Sequence, residues 1–384
     1  MTITMSTDNI VLPAGSLGND FTTTRNVLYN GDFRVNQRAA ASYTSSSFMN
    51  LDRWSTGFNY GGVSVSQQTT ANFPGYFYRA TVTSAAAVTS GSFFWLATQL
   101  LEGADVVSLN LGIAAGYSKK VTVSFWARSS IAGTYSVMLG ARNSAGTWYY
   151  SFQTYSITTA NKWQYQYLSF QVSSAYTCPA PPVDNNFQFG IWFVGGIGST
   201  YQGTVQNTFS TSVFAGTSSN VNLIGTNGAT FDLAKVQIEP GSYPTQFEFV
   251  PYALELKRCM RYYQKSYAYA TTVATSTFDG AYGYTWTQQR SHSYSTFSFW
   301  YTIPFQTRMR VAPTVTVYGA SGGTAGVFSI DKGSYVNGTA TFNQISDSNF
   351  QIYGPNPASL GKAGVEQFYG AYIQYRAVCD AATN

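Results

Sequence analysis

The sequence contains little charge. Only 10% of its 384 residues are Asp, Glu, Lys or Arg, and the net charge is +5. Disordered tails have few aromatic residues, and coiled coils have many charged residues in heptads. This composition excludes both classes. The two densest basic clusters, Lys257 to Arg261 and Arg308 to Arg310, are small. They predict solvated surfaces, and we expect no nucleic acid as a partner.

Long apolar runs are also missing. No uncharged apolar stretch approaches the roughly 20 residues that a membrane helix needs, so we expect a soluble protein with no membrane insertion. Three cysteines, Cys178, Cys259 and Cys379, lie far apart and are odd in number. This predicts free thiols and no disulfide framework.

Catalytic motifs are scarce. A nucleophilic triad needs a base, usually histidine, and the single histidine, His292, has no acidic neighbour in the sequence. We find no P-loop, dinucleotide fingerprint, zinc spacing or close pair of carboxylates. The sequence therefore favours binding over catalysis: we expect no enzyme, no catalytic residue and no cofactor except a structural ion discussed below.

Aromatic residues are abundant instead, at 17% of the chain, with 30 Tyr, 27 Phe and 8 Trp. Many occur in short alternating runs broken by Gly, Asn and Ser, the pattern of half-buried strands. In residues 119–128, Val121, Val123 and Phe125 alternate with polar residues and Trp126. Along 231–238 the alternation slips by one residue, which predicts a β-bulge. We predict an all-β fold.

One segment has helical periodicity. After Pro251, apolar residues recur at spacings of four, three and four, at Tyr252, Leu256, Cys259 and Tyr263. A proline can open a helix, because its missing N–H would be unpaired there. We predict a short connecting helix over 251–266, followed by a second, smaller β domain. The stripe either packs against the preceding domain or surrounds a three-fold axis.

Three aromatic residues are candidates for ligand binding. Trp126 shares a strand face with Thr122 and Ser124, and Tyr149 alternates against its neighbours; Tyr165 is a third candidate. Flat rings stack on the apolar faces of sugars, but they also build cores and interfaces. The alternative is that these rings pack on a second sheet or on a neighbouring subunit.

Several segments together resemble a known family. They are NVLYNGDFRVNQR (26–38), LDRWS (51–55), the runs at 92–112 and 119–137, and the long segment 221–265 that contains FDLAKVQIE. In this order they resemble bacteriophage tail-fibre and virion appendage proteins with a domain similar to jelly-roll carbohydrate-binding modules. Residues 308–318 and 373–381 resemble the distal domain of the same proteins more loosely.

The resemblance implies a jelly-roll carbohydrate-binding-like domain (26–250), which precedes the connecting helix (251–266) and a C-terminal β domain (267–384). Residues 1–25 lie outside the resemblance. Their polar sequence is typical of segments that order only on a partner, so we predict an N-terminal docking arm (1–25). The fold class is then all-β, a jelly-roll β-sandwich followed by a short helix and a second, smaller β-sandwich domain.

The resemblance also implies partners. The expected protein is a virion component that is assembled in the host cytoplasm, docks to other virion proteins through its arm, forms a homotrimer and attaches to host surface polysaccharide. In related jelly rolls a structural calcium joins the opening segment to the closing strand, and here Asp32 and Asp232 occupy those segments. The alternative is that Asp32 caps a turn and Asp232 is solvated.

Two other functions stay open at this point. A purely architectural capsid or tail decoration protein would have no glycan ligand. A polysaccharide depolymerase would cleave the host polymer, although the sequence offers no evident carboxylate pair for that chemistry.

Overall fold

The computed structural model describes residues 4–5, 10–11, 25–38, 51–112, 120–172, 178–288, 299–331, 335–354 and 367–379. The chain divides into two compact units: residues 1–34 and 41–250 form the first, and residues 35–40 and 251–384 form the second. His292 and most of the predicted docking arm lie outside the described residues.

The described part of the first unit consists mainly of antiparallel strands. They are β1 Thr4–Met5, β2 Ile10–Val11, β3 Ser55–Phe58, β4 Gly62–Thr70, β5 Phe73–Ser84, β6 Phe93–Glu102, β7 Lys120–Ser129, β8 Gly133–Arg142, β9 Trp148–Ile157, β10 Gln164–Gln171, β11 Phe187–Ile197 and β12 Thr230–Pro240. Short 3-10 helices lie at Gly103–Leu109, Ser199–Tyr201 and Leu223–Gly225. Strands β1 and β2 pair with each other.

The other ten strands form two five-stranded sheets. The first sheet has the order β10-β7-β12-β5-β4, and the second has the order β3-β6-β11-β8-β9. Buried rings join the two sheets: the centroids of Phe125 on β7 and Phe193 on β11 are 4.9 Å apart, and those of Tyr135 on β8 and Phe231 on β12 are 5.2 Å apart. The unit is therefore a β-sandwich with its core between the sheets, which confirms the predicted all-β fold.

Strand β7 shows how the sequence produces this core. Successive side chains of a strand point to opposite faces, and the inward set of Val121, Val123, Phe125 and Ala127 is fully buried. The intervening residues, including Trp126, belong to the outer face of the sheet, which is the face turned away from the opposite sheet. The predicted alternation is confirmed on this strand.

The predicted bulge is also present. The pairing of β12 with β7 shifts register between Ala234 and Gln237, and Lys235 has a φ of +50°. A bulge inserts an extra residue, and the residues after it exchange faces. As a result, Asp232 and Ala234 lie on the outer face before the shift, and the buried Val236 and Ile238 continue the strand after it.

A polar clasp closes the first unit by joining its start to its last strand. The buried Asn26 side chain donates to the carbonyl of Val236 at 3.0 Å and accepts from the amides of Leu28 and Ile238. Glu248 accepts from the amide of Asn26 at 2.8 Å. Because these groups are buried or partly buried, each hydrogen bond replaces one that water would otherwise make.

The second unit is described by one helix and further strands. They are α1 Tyr252–Met260, β13 Tyr263–Lys265, β14 Tyr282–Gln288, β15 Phe299–Pro304, β16 Thr314–Gly319, β17 Val327–Asp331, β18 Tyr335–Thr339, β19 Thr341–Ile345, β20 Asn349–Gly354 and β21 Gln367–Val378. Strand β21 pairs with β13, β14, β16 and β17, while β15, β20 and β19 form a separate sheet. Buried residues of both sheets, including Ile303, Phe350 and Tyr375, form one core cluster.

The helix is shorter than the periodicity predicts. It ends at Met260, and Tyr263 lies instead in β13, where it pairs with Val378. Tyr263 is buried where β13 pairs with β21. Its ring matches the helical spacing, but it is required for packing in the sheet and not for a helix face. Among the described residues, none of the helices has the length and apolar character needed to cross a membrane.

Replacing Asn26 with alanine should destabilise the first unit by about 3 kcal/mol. The change removes the side-chain partner of the buried Val236 carbonyl and of the Ile238 amide, and an unsatisfied buried polar group costs about 1–3 kcal/mol. Denaturant unfolding followed by tryptophan fluorescence measures the loss. The exposed Ser199 is the control position, and Ser199→Ala should unfold like the wild type; an Asn26→Ala protein with a wild-type midpoint contradicts the clasp.

Candidate functional site

Three aromatic side chains lie together on the outer face of the second sheet. Trp148 and Tyr150 stand two residues apart on the edge strand β9, with ring centroids 6.1 Å apart and planes only 16° from parallel. Trp192 on β11 meets both rings from the side, at 6.1 Å and 82° to Trp148 and at 6.0 Å and 66° to Tyr150. All three are half-buried. We call this group the tryptophan surface.

Two glycines form the floor of the tryptophan surface. Gly140 on β8 pairs with both Tyr150 and Gly190 of β11. A Cβ atom at Gly190 would come within 2.3 Å of the Trp192 ring, and one at Gly140 within 2.9 Å of it. Because neither residue carries a side chain, the Trp192 ring packs directly on the backbone of the sheet.

The segment after β11 supports the tryptophan surface on one side. The backbone of Ser210 exchanges two hydrogen bonds with Tyr150, at 2.7 and 3.0 Å, and so pairs with the free edge of β9. Further along the sheet, the buried Ala215 joins a cluster with Met138 and Phe152. The segment therefore covers one end of the outer face and fixes the strand that carries two of the three rings.

One charged residue, Arg142, pairs directly with Trp148 in the β8–β9 ladder. The Nε of Arg142 donates to the carbonyl of Gly146 at 2.8 Å, which holds the arginine in the β8–β9 turn. Burial raises the pKa of Tyr150, and the Arg142 cation offsets part of that increase. Burial acts to raise the pKa of Asp184, but hydrogen bonds and the nearby Arg142 cation lower it on balance. Arg142 and Asp184 are thus close enough for their charges to interact.

A second aromatic cluster lies on the outer face of the first sheet. Trp126 on β7 is directly opposite Tyr165 on β10, with ring centroids 5.5 Å apart. Trp163 stacks on Phe73 at 4.3 Å, and Phe73 meets Trp126 at 5.9 Å. Phe73 is nearly fully buried, whereas 45% of Tyr165 is exposed. The centre of the cluster is therefore shielded from solvent, whereas Tyr165 and part of Trp126 are exposed.

An ion network lies beside this cluster on the same face. Asp232, in the middle of the sheet on β12, is 1% exposed. Arg79 on one flanking strand donates to both of its carboxylate oxygens, at 2.7 and 2.9 Å, and Arg128 on the other donates at 2.6 Å. The hydrogen bonds to Asp232, opposed by burial, raise the pKa of Arg79 further. We call Arg79, Arg128, Asp232, Trp126 and Tyr165 the arginine surface.

The structure separates the three aromatic residues proposed from the sequence. Trp126 and Tyr165 come together on the first sheet, whereas Tyr149 lies on the second. Tyr149 also shares its strand face with the buried Ser151 and Tyr155, which point toward the sandwich interior. Its ring is therefore on the opposite face of β9 from Trp148 and Tyr150.

Sequence reasoning missed Trp148, Tyr150 and Trp192 as a group. The alternation of β9 separates Tyr149 from its two neighbours, but it does not say which set faces the core. Tyr149 shares its face with Ser151, a polar residue that is nevertheless buried. Trp192 is more than forty residues away and joins the group only through sheet pairing.

The donor set at Asp32 and Asp232 does not fit a calcium ion. Calcium prefers a cage of six to eight oxygens, but the Asp232 oxygens accept from two arginines and Asp32 pairs with Arg34 at 3.1 Å. Burial raises the pKa of Asp32, with Arg34 opposing it. Within the described ranges, no group of three or more His, Cys, Asp or Glu side chains is placed to hold a metal. The arginines supply the positive charge that the resemblance assigned to calcium.

Comparison with known proteins gave no match to a family model and no match among curated proteins. Solved structures with similarity include the enzymatically active domain of bacteriophage CBA120 tailspike protein 4, at 12% identity and a TM-score of 0.30. That alignment covers 56% of this chain and 22% of the tailspike chain.

Carbohydrate-binding modules are also among the similar structures. The xylan-binding domain from Paenibacillus barcinonensis Xyn10C has 9% identity and a TM-score of 0.27, with 55% of this chain and 99% of that one covered. A family 11 module of a Clostridium thermocellum cellulase has 14% identity and a TM-score of 0.26, with 53% and 98% covered. At these values the comparisons assign the chain to no family.

Removing calcium should leave the stability of the first unit unchanged. Arginines already neutralise Asp32 and Asp232, so no ion is needed to compensate their charge. The melting temperature measured after dialysis against EDTA should equal that measured in millimolar calcium. A calcium-dependent rise of several degrees that disappears in Asp232→Asn would place an ion at this network after all.

Proposed function

We propose that the chain is a virion structural protein, a tail fibre or receptor-binding appendage, that attaches to host surface glycans without catalysis. The tryptophan surface is the proposed binding site. The observation that carries this proposal is the set of three half-buried rings resting on a glycine floor, with Trp148 and Tyr150 nearly parallel.

The geometry suits a sugar chain. Aromatic rings that remain partly exposed on a rigid sheet present a flat apolar surface, and the apolar faces of sugar rings stack on such surfaces. Trp148 and Tyr150 lie in near-parallel planes with ring centroids 6.1 Å apart, so one saccharide segment can contact both rings. The perpendicular Trp192 forms a wall that limits how the ligand lies.

The local charge favours an uncharged saccharide at this site. Arg142 and Asp184 balance each other, so the tryptophan surface has no excess of either sign from these two groups. We therefore propose a neutral segment of a host surface polysaccharide as the ligand.

The virion role is supported by the ordered sequence segments between residues 26 and 265. In this proposal the two β-rich units form the distal part of an appendage, and the N-terminal arm docks to other virion proteins. The proposed assembly is a homotrimer, and a trimer would present three copies of the tryptophan surface to a repetitive polymer, which raises avidity.

Trp148→Ala should weaken binding to a neutral host polysaccharide by tenfold or more, because half of the stacking platform is removed. Affinity electrophoresis or calorimetry with purified polysaccharide measures the change. Tyr243 is 76% exposed and follows β12, a strand of the first sheet, and Tyr243→Ala is the matched control with unchanged affinity. Equal binding by both variants contradicts the site.

The same incubation tests the absence of catalysis. We expect no new reducing ends when the wild-type protein is held with the polysaccharide for hours. Release of reducing ends would establish a depolymerase, and retention of assembly with no glycan binding would establish a purely architectural protein.

Light scattering should give a mass three times that of the 41.9 kDa chain, and this mass should shift upward when host polysaccharide is added. The Trp148→Ala protein should keep the trimer mass and lose the shift. A wild-type monomer whose mass is unchanged by polysaccharide contradicts both the trimeric and the glycan-binding parts of the proposal.

A further inference from the structure

The arginine surface has unused hydrogen-bond donors. A guanidinium has five N–H groups, and Arg79 directs only its Nε and Nη2 at Asp232. Arg128 likewise approaches Asp232 with Nε and Nη2. Within the described part of the chain, neither arginine makes a further hydrogen bond, so the Nη1 group of each remains open to a ligand. Their side chains are 31% and 18% exposed.

Asp232 holds the two arginines in a fixed arrangement. They lie on β5 and β7, the strands that flank β12, so their backbones are about 10 Å apart. The buried carboxylate between them fixes both guanidiniums, and the ring of Trp163 lies 4.8 Å from the Arg128 Cζ. Arginines held in advance lose little side-chain entropy when an anion binds.

The arginine network and the adjacent bulge carry a net positive charge. Arg79, Arg128 and Lys235 contribute three positive charges against the single negative charge of Asp232, and the Asp32–Arg34 pair adds none. Lys235 lies at the bulge, with its Nζ 5.2 Å from the centroid of the Phe73 ring, so it stands beside the aromatic cluster. Two positive charges therefore remain without a counter-charge from these groups.

A stacking platform lies next to the two guanidiniums. Trp126 precedes Arg128 by two residues on the same face of β7, which places them about 7 Å apart along the strand. Tyr165 extends the platform onto the neighbouring strand. A sugar ring on Trp126 and Tyr165 would direct a charged substituent at the arginine side of the surface.

We propose that the arginine surface is a second saccharide site, specific for acidic sugars whose carboxylate or sulfate group binds Arg79 and Arg128. Planar guanidiniums match the geometry of such oxyanions and bind them by paired hydrogen bonds. This site lies on the opposite sheet from the tryptophan surface, it takes a charged ligand, and it stands whether or not the tryptophan surface binds neutral glycan.

The test measures affinity of the full-length protein for three polymers at fixed salt: polygalacturonate for carboxylates, dextran sulfate for sulfates and dextran as the neutral polymer. We expect Arg79→Gln to weaken binding of at least one acidic polymer tenfold or more and Lys235→Gln to weaken it about threefold. The Lys235 side chain is not part of the Asp232 network that holds the sheet, so this variant reports binding even if Arg79→Gln is unstable.

Two controls separate this site from other effects. Lys257→Gln removes the same charge from an exposed position on α1, and it should bind like the wild type. Trp148→Ala should also keep full affinity for the acidic polymer, which separates this proposal from the tryptophan surface. The polymer that is bound, carboxylated or sulfated, identifies the anion.

Three results overturn the proposal. The first is wild-type binding to neither acidic polymer above the level of dextran. The second is a loss of acidic-polymer affinity in Lys257→Gln equal to that in Arg79→Gln and Lys235→Gln. That result would mean general charge attraction without a specific site. The third is loss of acidic binding in Trp148→Ala, which would place the anion at the tryptophan surface.

Discussion

The two-residue period of the β-strand determines where every functional candidate of the first unit lies. A strand that fills the sandwich core with one set of side chains must present the other set outward. On β7 the inward set is buried and the outward set includes Trp126 and Arg128; on β9 the outward set includes Trp148 and Tyr150. Both candidate surfaces are consequences of this constraint, since a one-residue shift would exchange core and surface.

The two surfaces differ in the residues at their centres. On the second sheet, glycines at 140 and 190 leave the rings resting on the backbone. On the first sheet, Asp232 occupies the central strand and holds arginines on both sides. One sheet therefore offers a stacking platform with balanced charge, and the other offers a platform with fixed cations. The same sandwich can thus present two chemically distinct faces.

Much of the fold could be predicted from local patterns. The alternation of β7 and the slip along β12 depend only on neighbouring residues, and both appear in the structure. The end of α1 could not be predicted in the same way, because Tyr263 keeps the helical spacing while pairing with Val378, 115 residues further along the chain. Local periodicity carries no information about such pairing.

The candidate sites depend even more on long-range pairing. Asp232 meets Arg79 and Arg128 across sequence separations of 153 and 104 residues, so the sequence alone indicated a solvated or ion-bound carboxylate. Trp126 and Tyr165 were proposed separately and are neighbours only because β7 and β10 pair. Tyr149 was proposed from the alternation of β9, which does not indicate the set that faces the core; in the structure its face also carries the buried Ser151.

The most direct test is a crystal structure of the protein with a neutral oligosaccharide from a polysaccharide that it retains. We predict a sugar ring stacked on Trp148 and Tyr150 with Trp192 at its edge. Sugar density found elsewhere on the protein, with the three rings left uncovered, would contradict the account.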